Sequence, residues 1–358
     1  MTPRLRIDDL YRLAVPEQPA LSPDGAEIVY VLRAADRDAD RDTTTLWRVG
    51  AEGGEPRRLT GGPADTAPAW SPDGTRIAFL RSQDGGPAQV WLLPAAGGEA
   101  ERVTELPLGA GAPVWSPDGG ALAFTAPADL DASDGEGDAD RALRAKRPIV
   151  ARRLNFKADG AGPLRTIRAH LHTVRLADRE IRQITYGDWH AAAPAWSPDS
   201  TRLAFTAARG ADADLSMSSA AYVVEVAPHR AEPVLAGSDT GQAGTVTWTA
   251  DGEALLVVGS TVAKVGHSRL LRVPVDGGGE PADLTGRLDR NVMPGGLGYA
   301  GALPQLTADG REVLFCLRDR GSTHLYAAGL DGAAPRRVVG GGALHVTGMS
   351  TAGGAVAI

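Results

Sequence analysis

The stretch PAWSPDGTRIAF, residues 68–79, decides the fold because it recurs along the chain. Close copies are PVWSPDGGALAF at residues 113–124 and PAWSPDSTRLAF at residues 194–205. Weaker copies are PALSPDGAEIVY at 19–30, VTWTADGEALLV at 246–257 and PQLTADGREVLF at 304–315, and a degraded seventh copy is VTGMSTAGGAVAI at 346–358. Repetition at a period of tens of residues predicts an architecture in which each copy is one structural unit.

The chemistry of the motif predicts a tight hairpin. Serine suits the first position of a type I turn, proline presets φ at the second, and glycine accepts the left-handed conformation at the fourth. Ser200 replaces that glycine in the copy at 194–205. The apolar residues before and after the turn give two short strands.

A second hairpin follows each of the first six copies, as in LWRVGAEGGEPRRLT at 46–60 and VWLLPAAGGEAERVT at 90–104. Two hairpins make one four-stranded propeller blade. The repeated aspartates are spaced about as blades of 40–50 residues require, apart from one long step; they are Asp24, Asp73, Asp118, Asp199, Asp251 and Asp309. The sequence therefore predicts an all-β fold, a β-propeller of four-stranded blades.

The number of repeats predicts the seven-bladed type with the last blade incomplete, because the seventh first hairpin has no second hairpin after it. On this interpretation residues 19–358 are the propeller, blade seven is truncated, and the chain is the front part of a longer protein. Two alternatives remain. A different segment completes the ring, or the seventh copy is a chance echo and the ring has six blades.

Two segments do not fit the repeat. Residues 1–18 are expected to form an N-terminal helical arm, since Ile7, Leu10 and Leu13 fall on one side and Pro16 ends the pattern. The arm either packs on a neighbouring domain or covers a ring edge. The long step places an insertion at residues 125–170 in blade three, with an acidic run followed by a basic run. Long loops in compact folds are usually functional or mobile.

Composition excludes several classes of protein. The 358 residues carry a net charge of −7, which gives no basic footprint for nucleic acid, and one cysteine, which excludes a disulfide scaffold. No run of 18 apolar residues suggests a membrane span, and the polar start Met1–Leu13 lacks the apolar core of a signal peptide. We expect a cytoplasmic protein.

Catalytic motifs are missing from this sequence. The nearest approach to the Gly-x-Ser-x-Gly elbow of serine hydrolases is residues 348–352, where the last glycine is absent, so Ser350 is not expected to be a nucleophile. His170 and His172 share one face of a strand, but a metal site needs further ligands, and polar strand residues are the favoured interpretation. Cys316 lies in an apolar strand and is interpreted as a core residue. We expect no catalytic residue, metal or cofactor.

The repeats resemble those of TolB-like proteins and of the propellers of prolyl oligopeptidase-family serine peptidases. The arm at residues 6–25 and the insertion ending RRLNFKADGAGPLRTIRAHLHTV, residues 152–174, look like those of bacterial acylaminoacyl-peptidase and dipeptidyl-aminopeptidase-like members. The resemblance implies a partner, a C-terminal α/β-hydrolase domain with a Ser-Asp-His triad, which is absent here. It also implies that this chain gates and positions short peptide substrates and is inactive alone. The alternative is a free-standing TolB-like propeller that binds a protein or small ligand.

The resemblance also suggests binding residues in the insertion. In some relatives propeller carboxylates pair with a free substrate amine, a role in which Asp129 and Asp131 are candidates. Arg152 and Arg153 are candidates for facing the catalytic domain or a substrate carboxylate. Surface salt bridges are the alternative for both pairs. Neither nucleic acid nor a membrane is expected as a partner.

Overall fold

In each of the first six repeats a serine or threonine hydroxyl and the aspartate close the turn through side-chain hydrogen bonds. The computed structural model describes residues 6–132, 137–159, 162–210, 212–263, 265–276, 279–296, 299–342 and 344–358. In it, Ser71 Oγ donates to Asp73 Oδ1 at 2.5 Å, and Asp73 Oδ1 accepts from the Thr75 amide at 3.0 Å. These bonds favour the charged carboxylate and lower the pKa of Asp73 to about 2. Ser200 adopts the left-handed conformation of the glycine that it replaces, with a φ of 60°.

The hairpins assemble into six antiparallel blades in chain order. Blade one contains β1 (Ala14–Leu21), β2 (Glu27–Asp36), β3 (Arg41–Gly50) and β4 (Arg57–Arg58). Blade two contains β5 (Asp65–Trp70), β6 (Arg76–Arg81), β7 (Gln89–Pro94) and β8 (Glu101–Arg102). Blade three contains β9 (Val114–Trp115), β10 (Ala121–Asp129), β13 (Ile167–Arg175) and β14 (Ile181–Gln183).

The remaining blades follow the same order. Blade four contains β15 (Ala191–Trp196), β16 (Arg202–Ala207), β17 (Ala220–Glu225) and β18 (Val234–Ala236). Blade five contains β19 (Gln242–Trp248), β20 (Ala254–Ser260), β21 (Arg269–Pro274) and β22 (Ala282–Asp283). In blade six, two short strands share the first position, and both pair with β25; the strands are β23 (Asn291–Val292), β24 (Gln305–Leu306), β25 (Glu312–Asp319), β26 (Ser322–Gly329) and β27 (Arg336–Val339).

The fold is thus the predicted all-β propeller, but the predicted blade count is wrong. The described residues form six blades, not seven with an incomplete last one. The seventh repeat forms only a two-stranded hairpin, β28 (Ser350–Ala352) with β29 (Ala355–Ala357), because no further strand pairs with it in the described chain. The hairpin lies between blades one and six: the Leu21 amide donates to Ser350 Oγ at 2.9 Å, and the Thr351 amide donates to Gln305 Oε1 at 2.8 Å.

The first strand of each blade lies nearest the ring axis and the fourth lies at the rim. First strands of successive blades contact one another, as β1 does β5 and β15 does β19, whereas the short fourth strands are largely exposed. Antiparallel order puts the repeat turns on one face of the ring. The opposite face, here called the loop face, carries the loops between second and third strands and the connections between blades.

The hydrophobic core is divided into layers between adjacent blades. The phenylalanine that ends each strong repeat is fully buried in such a layer, as is the phenylalanine that ends the copy at 304–315; these residues are Phe79, Phe124, Phe205 and Phe315. The repeat tryptophans reach across the same gaps. Each indole Nε1 donates to a first-strand carbonyl of the preceding blade, as Trp115 does to Ala69 at 3.0 Å and Trp196 does to Val114 at 3.1 Å.

Most of the arm and most of the insertion lie outside the blades, although β1 begins within the predicted arm and the ends of β10 and β13 fall within the predicted insertion. The arm contains a 3-10 helix over Ile7–Arg12, and β1 begins soon after it, at Ala14. The insertion between β10 and β13 contains α1 (Asp138–Ala145) and a small hairpin of β11 (Lys157–Ala158) and β12 (Gly162–Pro163). Both segments are on the loop face, because they adjoin the ends of strands that open there.

Candidate functional site

Exposed apolar side chains concentrate on the loop face. They come from the arm, the insertion and the loops of blades four, five and six; they are Ile7, Leu10, Tyr11, Leu13, Val15, Leu130, Leu143, Ile149, Val150, Leu154, Phe156, Leu215, Met217, Val262, Val265, Tyr299, Leu303 and Leu344. Only Val234, Val338, Val356 and Ile358 are large exposed apolar residues elsewhere in the described chain. An apolar surface confined to one face is typical of an interaction site.

The arm is held by polar contacts and leaves its apolar side open. Arg37 Nη1 lies 3.5 Å from Asp8 Oδ1, and the Arg37 guanidinium lies 5.3 Å from the centre of the Tyr11 ring. Ile7 is 83% exposed and Leu10 is 52% exposed. The apolar stripe predicted from the sequence therefore faces solvent and does not cover the blade beneath it.

Asp129 is tied into the base of the insertion. Its Oδ1 accepts from Thr166 Oγ1 at 2.8 Å, and its Oδ2 pairs with Arg144. Partial burial acts to raise the pKa of Asp129, but the hydrogen bonds from Thr166 and Arg144 outweigh it and hold that pKa below its usual value. Asp131 is exposed, and its amide donates to Asp129 Oδ1 at 3.2 Å. The neighbouring acidic residues 134 and 136 lie outside the described residues.

Arg153 fastens the far end of the insertion to blade three. Its Nη2 donates to the carboxylate of Asp188 at 2.7 Å and to the carbonyl oxygen of Asp188 at 2.9 Å. Arg168 Nε donates to the other oxygen of the same carboxylate at 2.7 Å. Arg152 is exposed and makes no hydrogen bond or ion pair to a described residue. The four sequence-predicted residues thus do not converge, and a binding role for them stays a prediction.

The insertion also touches the loop of blade four. The Leu154 amide donates to Asp214 Oδ2 at 3.1 Å. The other end of that loop, at Met217 and Ser219, borders a cavity of about 300 Å³ between blades four and five. No sequence motif marks this cavity, because its walls come from five separate stretches between residues 217 and 294. The only local signal is glycine within otherwise apolar strands, as in QAGTVTW and ALLVVGS.

The two histidines, the cysteine and the serine that the sequence analysis considered have structural places in the blades. His170 and His172 are buried in β13; burial lowers the pKa of both and that of His170 to about 4. Cys316 is fully buried as predicted, and burial raises its pKa to about 11. Ser350 Oγ accepts the backbone bond from blade one described above.

Neither a metal-binding cluster nor a membrane-spanning helix is found in the part of the chain that the structure describes. Among those residues, no group of three or more His, Cys, Asp or Glu side chains is placed to hold a metal ion. Within the same ranges, no helix has the length and apolar character that crossing a bilayer requires.

Comparison with known proteins finds a similarity to TolB-type β-propellers. Residues 14–136 match the family described as TolB beta propeller domain. The chain is 28% identical over 204 residues to the uncharacterized peptidase YuxL of Bacillus subtilis, an alignment that covers 56% of this chain and 30% of YuxL.

Solved structures extend the match to nearly the whole chain. Acylaminoacyl peptidase of Pyrococcus horikoshii superposes with a TM-score of 0.72 and 18% identity, over 96% of this chain and 48% of that one. A puromycin-hydrolyzing peptidase of Mycobacterium tuberculosis superposes with a TM-score of 0.67 and 18% identity, over 98% and 50%. These matches confirm the resemblance to TolB-like and prolyl oligopeptidase-family propellers. The chain spans about half the length of these peptidases.

Proposed function

We propose that this chain is the non-catalytic propeller of a prolyl oligopeptidase-family serine peptidase, which gates and positions short peptides for acylaminoacyl- or dipeptidyl-type hydrolysis. The observation that carries the proposal is the apolar loop face. Burial of exposed apolar surface favours association, and on this chain that surface lies on one side of a ring. The proposed occupant is a C-terminal α/β-hydrolase domain of the same protein.

The arm and the insertion support this arrangement. Both project onto the loop face with exposed apolar side chains, Leu10 in the arm and Val150 in the insertion among them. A domain bound there would bury both segments and would leave uncovered the opposite face, which carries the repeat turns. Access to its active site would then depend on the ring and its loops, so the propeller would act by positioning and exclusion and not by bond chemistry.

The insertion residues have different places in this proposal. Arg152 is exposed and available to a substrate carboxylate or to the catalytic domain, and Asp131 is available to a substrate amine. Arg153 and Asp129 hold the insertion in shape through the contacts described above. We further propose a cytoplasmic location.

Peptidase assays test the proposal directly. The gene product that continues past codon 358 is expected to hydrolyse N-acetyl-alanyl or dipeptidyl 4-nitroanilides, and residues 1–358 alone are expected not to. Hydrolysis by residues 1–358 that the variant Ser350→Ala abolishes would overturn the proposal. A natural stop codon after Ile358 would also overturn it, in favour of a second candidate that the TolB match supports: a free-standing propeller that binds a partner or ligand.

A further inference from the structure

The cavity between blades four and five opens on the loop face, next to the ring axis. Its walls come from the start of β19, the end of β20, the loops that begin β17 and β21, and Pro294. Its volume of about 300 Å³ is at the lower end for ligand pockets, so it suits a short segment and not a folded domain.

Hydrogen bonds fix the walls of the cavity in place. Ser219 Oγ donates to the Ala243 carbonyl at 3.0 Å and accepts from the Ala243 amide at 2.9 Å, which ties blade four to blade five. The Ser268 amide donates to Asn291 Oδ1 at 2.9 Å, which fastens the opposite wall. A pocket held in this way loses little conformational freedom when a ligand binds.

Because glycines line the cavity, main-chain atoms form part of its surface. A Cβ at Gly259 would lie 1.8 Å from the Gln242 carbonyl oxygen, so only glycine allows the two strands to approach this closely. A Cβ at Gly244 would lie 3.1 Å from the Val258 carbonyl oxygen. Gly266 is different: it lines the cavity, and nothing lies within 4 Å of its Cβ position.

The chemistry of the lining favours an uncharged ligand. None of the lining residues is an Asp, Glu, Lys or Arg, and His267 Nε2 lies 3.1 Å from Asp289 Oδ1. The side-chain amide of Gln242 has no hydrogen-bond partner among the described residues. It offers both a donor and an acceptor, as a peptide group requires. Met217 and Pro294 supply apolar surface beside it.

We propose that this cavity binds a short uncharged segment of a peptide through the Gln242 amide, with an apolar side chain of the peptide against Met217 and Pro294. The inference rests on the proposed peptidase role, which it extends by naming where on the propeller the substrate is held. It places recognition away from the charged insertion residues Asp131 and Arg152.

Calorimetric titration of residues 1–358 with N-acetyl-Ala-Phe-Ala-amide tests the proposal. The wild-type chain is expected to bind this peptide saturably, and Gly266→Trp, which fills the open space, to weaken binding by about tenfold or more. Gly210→Trp is the matched control, because Gly210 also has nothing within 4 Å of its Cβ position but does not line the cavity. It is expected to bind like the wild type, and Gln242→Leu is expected to bind more weakly.

Two results would overturn the inference: no saturable binding by the wild-type chain, or equal affinities for Gly266→Trp and Gly210→Trp. Circular dichroism of both variants establishes that they fold. The peptidase role is judged separately in the longer gene product. If that product hydrolyses peptides with the same KM in Gly266→Trp as in the wild type, the cavity proposal fails and the peptidase role stands. If it hydrolyses none, the peptidase role fails, and the titration still decides the cavity.

Discussion

Replacing Trp196 with phenylalanine removes one hydrogen bond between blades three and four and keeps most of the apolar packing. The Trp196 indole donates to the Val114 carbonyl at 3.1 Å, and its side chain is 8% exposed within the layer between these blades. Because the variant leaves the Val114 carbonyl without its partner in a partly buried place, we expect a loss of about 1–2 kcal/mol in the free energy of unfolding. Trp196→Ala also leaves a cavity and is expected to lose about 3–5 kcal/mol.

Trp91 provides the matched control for this experiment. Its Nε1 is buried and has no hydrogen-bond partner among the described residues. Trp91→Phe therefore removes an unpaired donor and is expected to leave stability unchanged or slightly raised. Urea unfolding followed by far-UV circular dichroism measures both variants. Equal losses for Trp91→Phe and Trp196→Phe would refute the assignment of stability to the bonds between blades.

Three further predictions follow from buried and charged groups. The pKa values of Asp73 and Asp199 are lowered to about 2, below the ordinary value of 3.8. Their contribution to stability is therefore full above about pH 4 and is lost as the pH falls toward 2. The thermal midpoint is expected to fall over that range less steeply in the double variant Asp73→Asn, Asp199→Asn than in the wild type. Arg81→Met leaves the fully buried Asp65 carboxylate without the guanidinium that lies 2.7 Å away. The free energy of unfolding, measured in urea, is expected to fall by about 3–5 kcal/mol. A loss below about 1 kcal/mol would contradict a buried ion pair. Cys316, with its pKa raised to about 11, is expected not to react with 5,5′-dithiobis(2-nitrobenzoate) at pH 8 until the chain is unfolded, and rapid reaction of the native protein would contradict its burial.

Local features of the fold could be predicted from the residues themselves. Ser71, Asp73 and Gly74 specify their turn through neighbouring backbone groups, and the same chemistry recurs in the other repeats. The phenylalanines and tryptophans hold fixed places in the motif, and the structure shows that the former are buried and the latter link neighbouring blades. The blade count was not predicted correctly, because a first hairpin is recognisable without the strands that would complete its sheet.

The candidate site was less accessible to prediction. The charges of Asp129 and Arg153 make them candidates for binding, but the path of the insertion pairs them with Thr166 and Asp188, at sequence separations of 37 and 35 residues. Composition does not specify such a path. The cavity between blades four and five has no motif at all, since glycines and uncharged residues from separate strands form it.

The sequence by itself determined the propeller class and the turn chemistry, because both depend on contacts that repeat at a fixed spacing. Only the tertiary structure decided which face carries exposed apolar surface, which charged side chains of the insertion are already paired, and where a cavity opens. Those properties depend on strand order and on residues brought together from different blades, and no local pattern records that proximity.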